Sequence, residues 1–139
     1  MFTVDAVDTA ISLSGTFSGT SSTFIRNGMD SGRYYYDAYL VTPQVSAEHI
    51  FYTGSDMDMY GYLYSNSFSP SQTVTNLQIE DDDSAGDYQF QLSFFLEANT
   101  NYIVVATTYD PRITGSYTFT MFGPGSTTLT RLNPSMSTN

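Results

Sequence analysis

From residue 55 to residue 96 the chain alternates in a way that only extended backbone can use. Met57, Met59, Gly61 and Leu63 fall on one side, and Asp58, Tyr60, Tyr62 and Tyr64 on the other. A period of two sends successive side chains to opposite faces of a β-strand. The turn residues SNSFSPSQ then lead to a short strand expected over 74–79, followed by Glu80, Asp81, Asp82 and Asp83 in a row and by Ser84-Ala85-Gly86-Asp87. Asp and Gly tolerate turn geometry, so the chain is expected to reverse there. The next strand is expected over 88–96, with Tyr88, Phe90, Leu92, Phe94 and Leu96 on one face and Gln89, Gln91 and Ser93 on the other, until Phe95 breaks the pattern.

The rest of the chain reads the same way. Ile11 to Phe17 alternates, and residues 2–7 are a shorter candidate strand. Residues 19–33 are rich in Ser, Thr, Gly and Asn and predict a long loop that touches down through Phe24 and Ile25. A loop of that length is usually functional or partly structured. Tyr34 to Val41 is dense in aromatics on both faces, as a central buried strand is, and three consecutive tyrosines there must split between faces, which sends at least one toward solvent or an interface. Further strands are expected over 45–52, over the β-branched run 102–109, over 116–122 and over 127–132.

Twelve Tyr, ten Phe and the absence of Lys favour half-buried pleated surfaces over helices. The fold class expected is all-β, a two-layer antiparallel β-sandwich, jelly-roll-like, of about eight strands. A length of 139 residues suits one domain with a substantial core. Its expected parts are residues 1–33, amino-terminal strands and a long loop that can act as an inter-subunit donor segment; 34–132, the sandwich core; and 133–139, a polar tail or linker.

A net charge of −10, from four Arg against fourteen Asp and Glu, argues against nucleic acid, whose phosphates need clustered cations, and against an anionic membrane surface. No apolar run reaches the roughly 20 residues that span a bilayer, so no membrane insertion is expected. Without cysteine there is neither a disulfide nor a thiolate metal site. The first residues lack the basic start and apolar run of a signal peptide, so an export signal is expected to have been removed or to lie in a longer precursor.

Four short stretches together suggest a family. Asp-x-Tyr-x-x-Leu-Tyr runs from Asp58 to Tyr64, Asp82-Asp83-Ser84 precedes a strand, a leucine and a turn lead to Tyr-Ile-Val-Val from Leu96 to Val105, and Gly-x-Tyr-x-Phe runs from Gly115 to Phe119. Across residues 34–122 this pattern resembles the bacterial pre-peptidase C-terminal (PPC) domain. The resemblance implies a non-catalytic extracellular or cell-surface β-sandwich module of the kind attached to secreted proteases, collagenases or adhesive proteins, sometimes in tandem and sometimes with calcium. It places Asp58, Asp82 and Asp83 at that family's acidic turn. No peptidase is attached here, and the first thirty or so residues fall outside the pattern.

Calcium takes six to eight oxygen ligands, and Asp81, Asp82, Asp83 and Asp87, with Glu80 and backbone carbonyls, can supply several from one loop, with Asp56 and Asp58 joining if their turn lies alongside. The bland alternative is that Asp82 and Asp83 cap the turn and the others are solvated. No cofactor is required, and calcium is the one candidate. Tyr60, Tyr62 and Tyr64 form a row of rings that can stack sugars or peptide side chains, although core packing is the favoured use of one face of any sandwich strand. Adjacent turn aspartates point in different directions, and His49, the only histidine, has no nucleophile at recognisable spacing, so an enzyme is not expected and His49 reads as a surface or packing residue. Asn66, Asn76, Asn99 and Asn101 all lack a hydroxyl residue two positions on, which leaves O-linked sugars on residues 12–23 and 126–130 as the glycosylation candidates.

Two functions follow. The first is a structural or adhesive module, a repeat unit or fibre subunit whose partners are copies of itself or neighbouring modules, assembled by addition of the amino-terminal segment to a neighbour's open edge. The alternative is a module that binds carbohydrate or extracellular protein for a secreted hydrolase.

Overall fold

A computed structural model describes residues 7–25 and 33–132. The strand expected over 2–7, apart from its last residue, the middle of the 19–33 loop, and the tail at 133–139 lie outside the described residues. The chain is all-β, with eleven strands in antiparallel sheets and no helix among the described residues. They are β1 (Asp8–Phe17), β2 (Thr23–Phe24), β3 (Tyr34–Tyr35), β4 (Asp37–Thr42), β5 (Ala47–Ser55), β6 (Met59–Ser65), β7 (Leu77–Asp81), β8 (Gln91–Leu96), β9 (Tyr102–Thr108), β10 (Gly115–Pro124) and β11 (Thr128–Leu132).

A four-stranded sheet ordered β1-β10-β5-β8 packs on a five-stranded sheet ordered β11-β4-β9-β6-β7, and β2 pairs with β3 as a separate small ribbon. The inner faces meet in one core built from both sheets: Phe17, Phe51, Leu92, Phe119 and Met121 from the first, Tyr39, Val41, Met59, Leu63 and Val104 from the second. The alternation from Met57 to Leu63 holds, and it is the side of the methionines and Leu63 that enters this core, not the tyrosine side for which the sequence favours core packing. Two interior glycines serve this core by lacking a side chain. A Cβ on Gly61 would lie 2.5 Å from the Phe90 ring, and one on Gly15 would lie 2.3 Å from the Tyr117 ring.

The other face of the five-stranded sheet is covered as well, by a second cluster. Phe24 of β2 meets Tyr36 and Tyr62 edge-on, with ring centroids at 5.3 and 5.9 Å, and Phe68 packs against Tyr64 at 4.8 Å. Buried on both faces, β9 shows no exposed position from Tyr102 to Thr108. This cover also bears on the three tyrosines. Tyr34 and Tyr36 are buried in the second cluster, and Tyr35, on the opposite face, is half-buried against the first. Only Phe24 of the expected touchdown pair is inside. Ile25 points out, while its backbone is held by Pro70 and by the Thr73 hydroxyl, which donates to the Ile25 carbonyl at 2.9 Å.

The amino-terminal segment is part of this sandwich. All ten residues of β1 pair in unbroken register with β10, from Asp8 opposite Pro124 to Phe17 opposite Gly115. Of the donor segment expected within residues 1–33, residues 8–17 are already paired within their own sheet, and the boundary drawn at residue 33 is crossed by both the β1–β10 and the β2–β3 pairings.

Candidate functional site

The antiparallel pairing of β6 with β7, Gly61 opposite Asp81, brings the residue just before β6 beside those just after β7. Asp58, Asp82 and Asp83 thereby converge, with one carboxylate oxygen of each within 4.8 Å of the others. Among the described residues these are the acids that come together in this way. Asp82 Oδ1 is buried with no hydrogen-bond donor among the described residues. Desolvation, and then the charges of Asp83 and Asp58, push the Asp82 carboxyl up to about 6. Three converging carboxylate oxygens, one of them lacking a donor, fit a hard divalent cation such as calcium, which takes oxygen ligands and would relieve the repulsion.

Asp81 and Asp87, also expected as ligands, are not in this group. Asp81 turns away to organise the loop. Its carboxylate accepts from the Ser84 backbone N–H at 2.9 Å, the Ser84 hydroxyl at 2.6 Å and the Gln91 N–H at 2.9 Å. Against an opposing desolvation, those donors lower its pKa. The capping role expected of Asp82 and Asp83 thus belongs to Asp81, because the loop presents its amides to the last residue of β7. Asp87 is exposed at φ 54°, and Tyr88 follows at φ 64° with its ring largely exposed. Two successive residues in the left-handed region delay the start of the expected strand, so β8 starts at Gln91 and Tyr88 never joins its buried face. The Gln89 side-chain amide replaces strand pairing by donating toward the carbonyls of Ser55, Met57, Asp87 and Tyr88.

The tyrosine row divides. Tyr62 and Tyr64 are fully buried, and the Tyr64 hydroxyl donates to the Thr73 carbonyl at 2.7 Å, so the packing use applies to both. Burial raises the Tyr64 pKa, and the Glu80 charge adds to it. Tyr60 is half-buried and donates to Glu80 Oε1 at 3.0 Å. Its nearest exposed aromatic neighbour is Tyr109, at 6.3 Å with rings 35° apart, a tilted pair beside Asp58 and not a flat platform.

No family model matches the chain. No curated protein matches it either. Among solved structures it is similar to PliG of Aeromonas hydrophila, a periplasmic inhibitor of g-type lysozyme, at 14% sequence identity over 88% of this chain and 86% of that one, with a TM-score of 0.49. A likeness of that size carries no argument about function. No helix among the described residues is long and apolar enough to cross a membrane.

At the opposite side of the sandwich lies a sheet edge in the segment whose alternation over Ile11 to Phe17 makes it an edge-strand candidate. β1 is the outermost strand of its sheet, and the direction of its free backbone groups can be worked out. Ser12 Oγ lies 2.8 Å from Thr120 Oγ1 and Thr16 Oγ1 lies 3.3 Å from Ser116 Oγ, the close approach of residue pairs that do not exchange backbone bonds. The Ser14 carbonyl is taken by Arg131 Nη2 from β11. Residues 8, 10, 12, 14 and 16 therefore aim their N–H and C=O groups outward, where no strand among the described residues meets them.

Proposed function

We propose that this chain is a non-enzymatic structural or adhesive module of the cell exterior, which assembles with copies of itself or with neighbouring modules by pairing at the β1 edge. The observation that carries the reading is the edge itself. Over ten residues it has no Pro, no Arg, a single acid at its start and an unbroken register. Natural sheets blunt such edges with charges, prolines or bulges unless the edge is used. β1 is capped at one point, where Arg131 of β11 holds the Ser14 carbonyl, and its other outward groups have no such cap, whereas β7 ends in Glu80 and Asp81 with a register shift and the first amide of β8 is capped by Asp81. The extracellular setting rests on the PPC-like pattern, and self-pairing is supported by the lack of charge along β1. Pairing of β1 with β1 closes into a two-fold dimer, whereas pairing of β1 with another edge propagates into a filament.

Calcium belongs to the same proposal as a stabiliser of the far end of the module, held by Asp58, Asp82 and Asp83. When bound, it supplies the counter-charge that these carboxylates lack.

Sedimentation and negative-stain microscopy across concentration test the assembly. The unaltered chain is expected to form dimers or filaments. Ala10→Pro removes only an outward N–H and is expected to return the chain to monomer with its fold kept; Ala10→Lys does the same by charge. A chain that stays monomeric at millimolar concentration, or one whose assembly is indifferent to both changes, overturns the reading.

A further inference from the structure

The two sheets are treated differently on their outer sides. The five-stranded sheet is covered by β2, β3 and Phe68, but the outer face of β1-β10-β5-β8 is bare among the described residues. Register aligns its outward positions into rows: Ala10, Phe122, Ile50 and Ser93; then Ser12, Thr120, Tyr52 and Gln91; then Ser14, Thr118 and Gly54. None of these eleven positions holds Asp, Glu, Arg, Lys or His, on a chain with a net charge of −10. The acids Asp8 and Glu48 stand at one end of the face, beyond the first row.

Two depressions open on this face and share Gly54 and Ser55. One runs toward β1 past Ser14, Thr16, Thr118 and Asp56, and the other toward the 85–91 loop past Tyr52, Gln91 and Asp87, so the acids at the groove sit at its rim and no cation lines it. Position 54 has no side chain between them, and a Cβ built there would meet nothing within 4 Å. Tyr52 borders the gap half-buried, and Phe122, 39% exposed, lies one row along on the neighbouring strand β10.

We infer that this groove binds a neutral polysaccharide chain. Sugar rings present apolar C–H faces that lie on exposed aromatic rings, and an edge of hydroxyls that exchanges hydrogen bonds with uncharged hydroxyl and amide groups. Tyr52 supplies the ring, with room beside it at Gly54; Ser14, Thr118 and Gln91 supply the polar partners in the same plane. The charge pattern selects within that class. The face offers no cation, and the protein's net charge repels acidic glycans, so uronic-acid and sulfated chains are disfavoured. A purely apolar partner would leave the hydroxyls and the glutamine without hydrogen bonds. The inference is independent of the β1 edge, which uses backbone groups and not this face.

Retention of the full chain on insoluble glucan, chitin and mannan, with heparin and hyaluronan as anionic controls, tests it. Binding to at least one neutral polymer and to neither anionic one is expected. Tyr52→Ala and Gly54→Gln are each expected to cut that retention by about tenfold or more. Gly54→Gln fills the groove without touching packed atoms, so its melting temperature is expected to match the unaltered chain, which separates loss of binding from loss of fold. Four results overturn the proposal: no retention on any neutral polymer, retention on the anionic ones, retention indifferent to Gly54→Gln, or a face-to-face dimer that Gly54→Gln dissociates. None of these depends on Ala10→Pro, which reports on the edge alone.

Discussion

The hydroxyls of Tyr39 and Tyr117 meet at 2.6 Å across the gap between the two sheets. Tyr117 donates onward to Asp37 Oδ2, and Arg131 donates to the Tyr39 hydroxyl at 3.1 Å while lying 5.3 Å over its ring. Burial, then the neighbouring Tyr39 and Asp37, holds the Tyr117 phenol well above the ordinary tyrosine range, so it stays a donor at every working pH. Four strands are tied by this chain of bonds: β4, β10, β11 and, through Arg131 on the Ser14 carbonyl, β1.

Tyr117→Phe leaves the Asp37 carboxylate without that donor. A loss of about 1.5–3 kcal/mol is expected from chemical denaturation, the range for a hydrogen bond to a charged group. Gly15→Ala is expected to cost about 1–3 kcal/mol by forcing its methyl into the Tyr117 ring.

The row Tyr60, Tyr62, Tyr64 is separable by mutation. Tyr62→Ala empties a fully buried site against Phe24 and is expected to cost about 3–5 kcal/mol. Tyr52→Ala, on the bare face, is expected to cost far less. Equal costs in a denaturation series would show that the bare face is covered in solution.

His49 is buried, with Nδ1 3.0 Å from the Ala47 carbonyl and Nε2 2.7 Å from the Thr127 hydroxyl. The carbonyl can only accept, so Nδ1 carries the proton and Nε2 accepts from Thr127. Desolvation lowers its pKa below 6.5, outweighing the Ala47 carbonyl and the charges of Asp8 and Glu48. The unfolded chain therefore binds the extra proton first, and this contribution to stability is full above pH 6.5 and is lost as pH falls below it. His49→Gln is expected to flatten that part of the stability–pH curve.

Asp82 acts with the opposite sign. Its pKa is raised from 3.8 to about 6 in the fold, so the folded chain holds the proton longer and stability falls as pH rises between those values. Asp82→Asn is expected to remove this slope and to raise the melting temperature at pH 7 in chelator. Calcium at 100 times its dissociation constant is expected to stabilise the unaltered chain by about 2.7 kcal/mol. The same addition to Asp82→Asn is expected to give much less, and equal gains in both would exclude this cluster as the site.

Much of the fold was legible because strand periodicity is local. The division of Met59 and Leu63 from Tyr60, Tyr62 and Tyr64, the buried run from Tyr102, and the turn at Ser84 to Asp87 needed only the alternation and the turn residues. The acidic site was legible in part: Asp58, Asp82 and Asp83 came together, while Asp81 and Asp87 did not, since which carboxylate caps a loop depends on where its amides point. Tyr88 was misplaced because two successive left-handed residues have no signature in an Asp-Tyr pair.

The sequence by itself determined that the chain is all-β, where its strands run and which side chains share a face, because a pleated backbone alternates whatever surrounds it. Tertiary structure decided which faces are covered. Tyr62 and Tyr52 both alternate with core residues on their strands, and nothing local distinguishes them. One lies beneath Phe24 from a ribbon almost forty residues away in the chain and the other under no strand at all, because burial is set by what the rest of the chain lays over a sheet. In the same way, only the pairing of β1 with β10 shows which backbone groups of residues 8–17 are left facing outward.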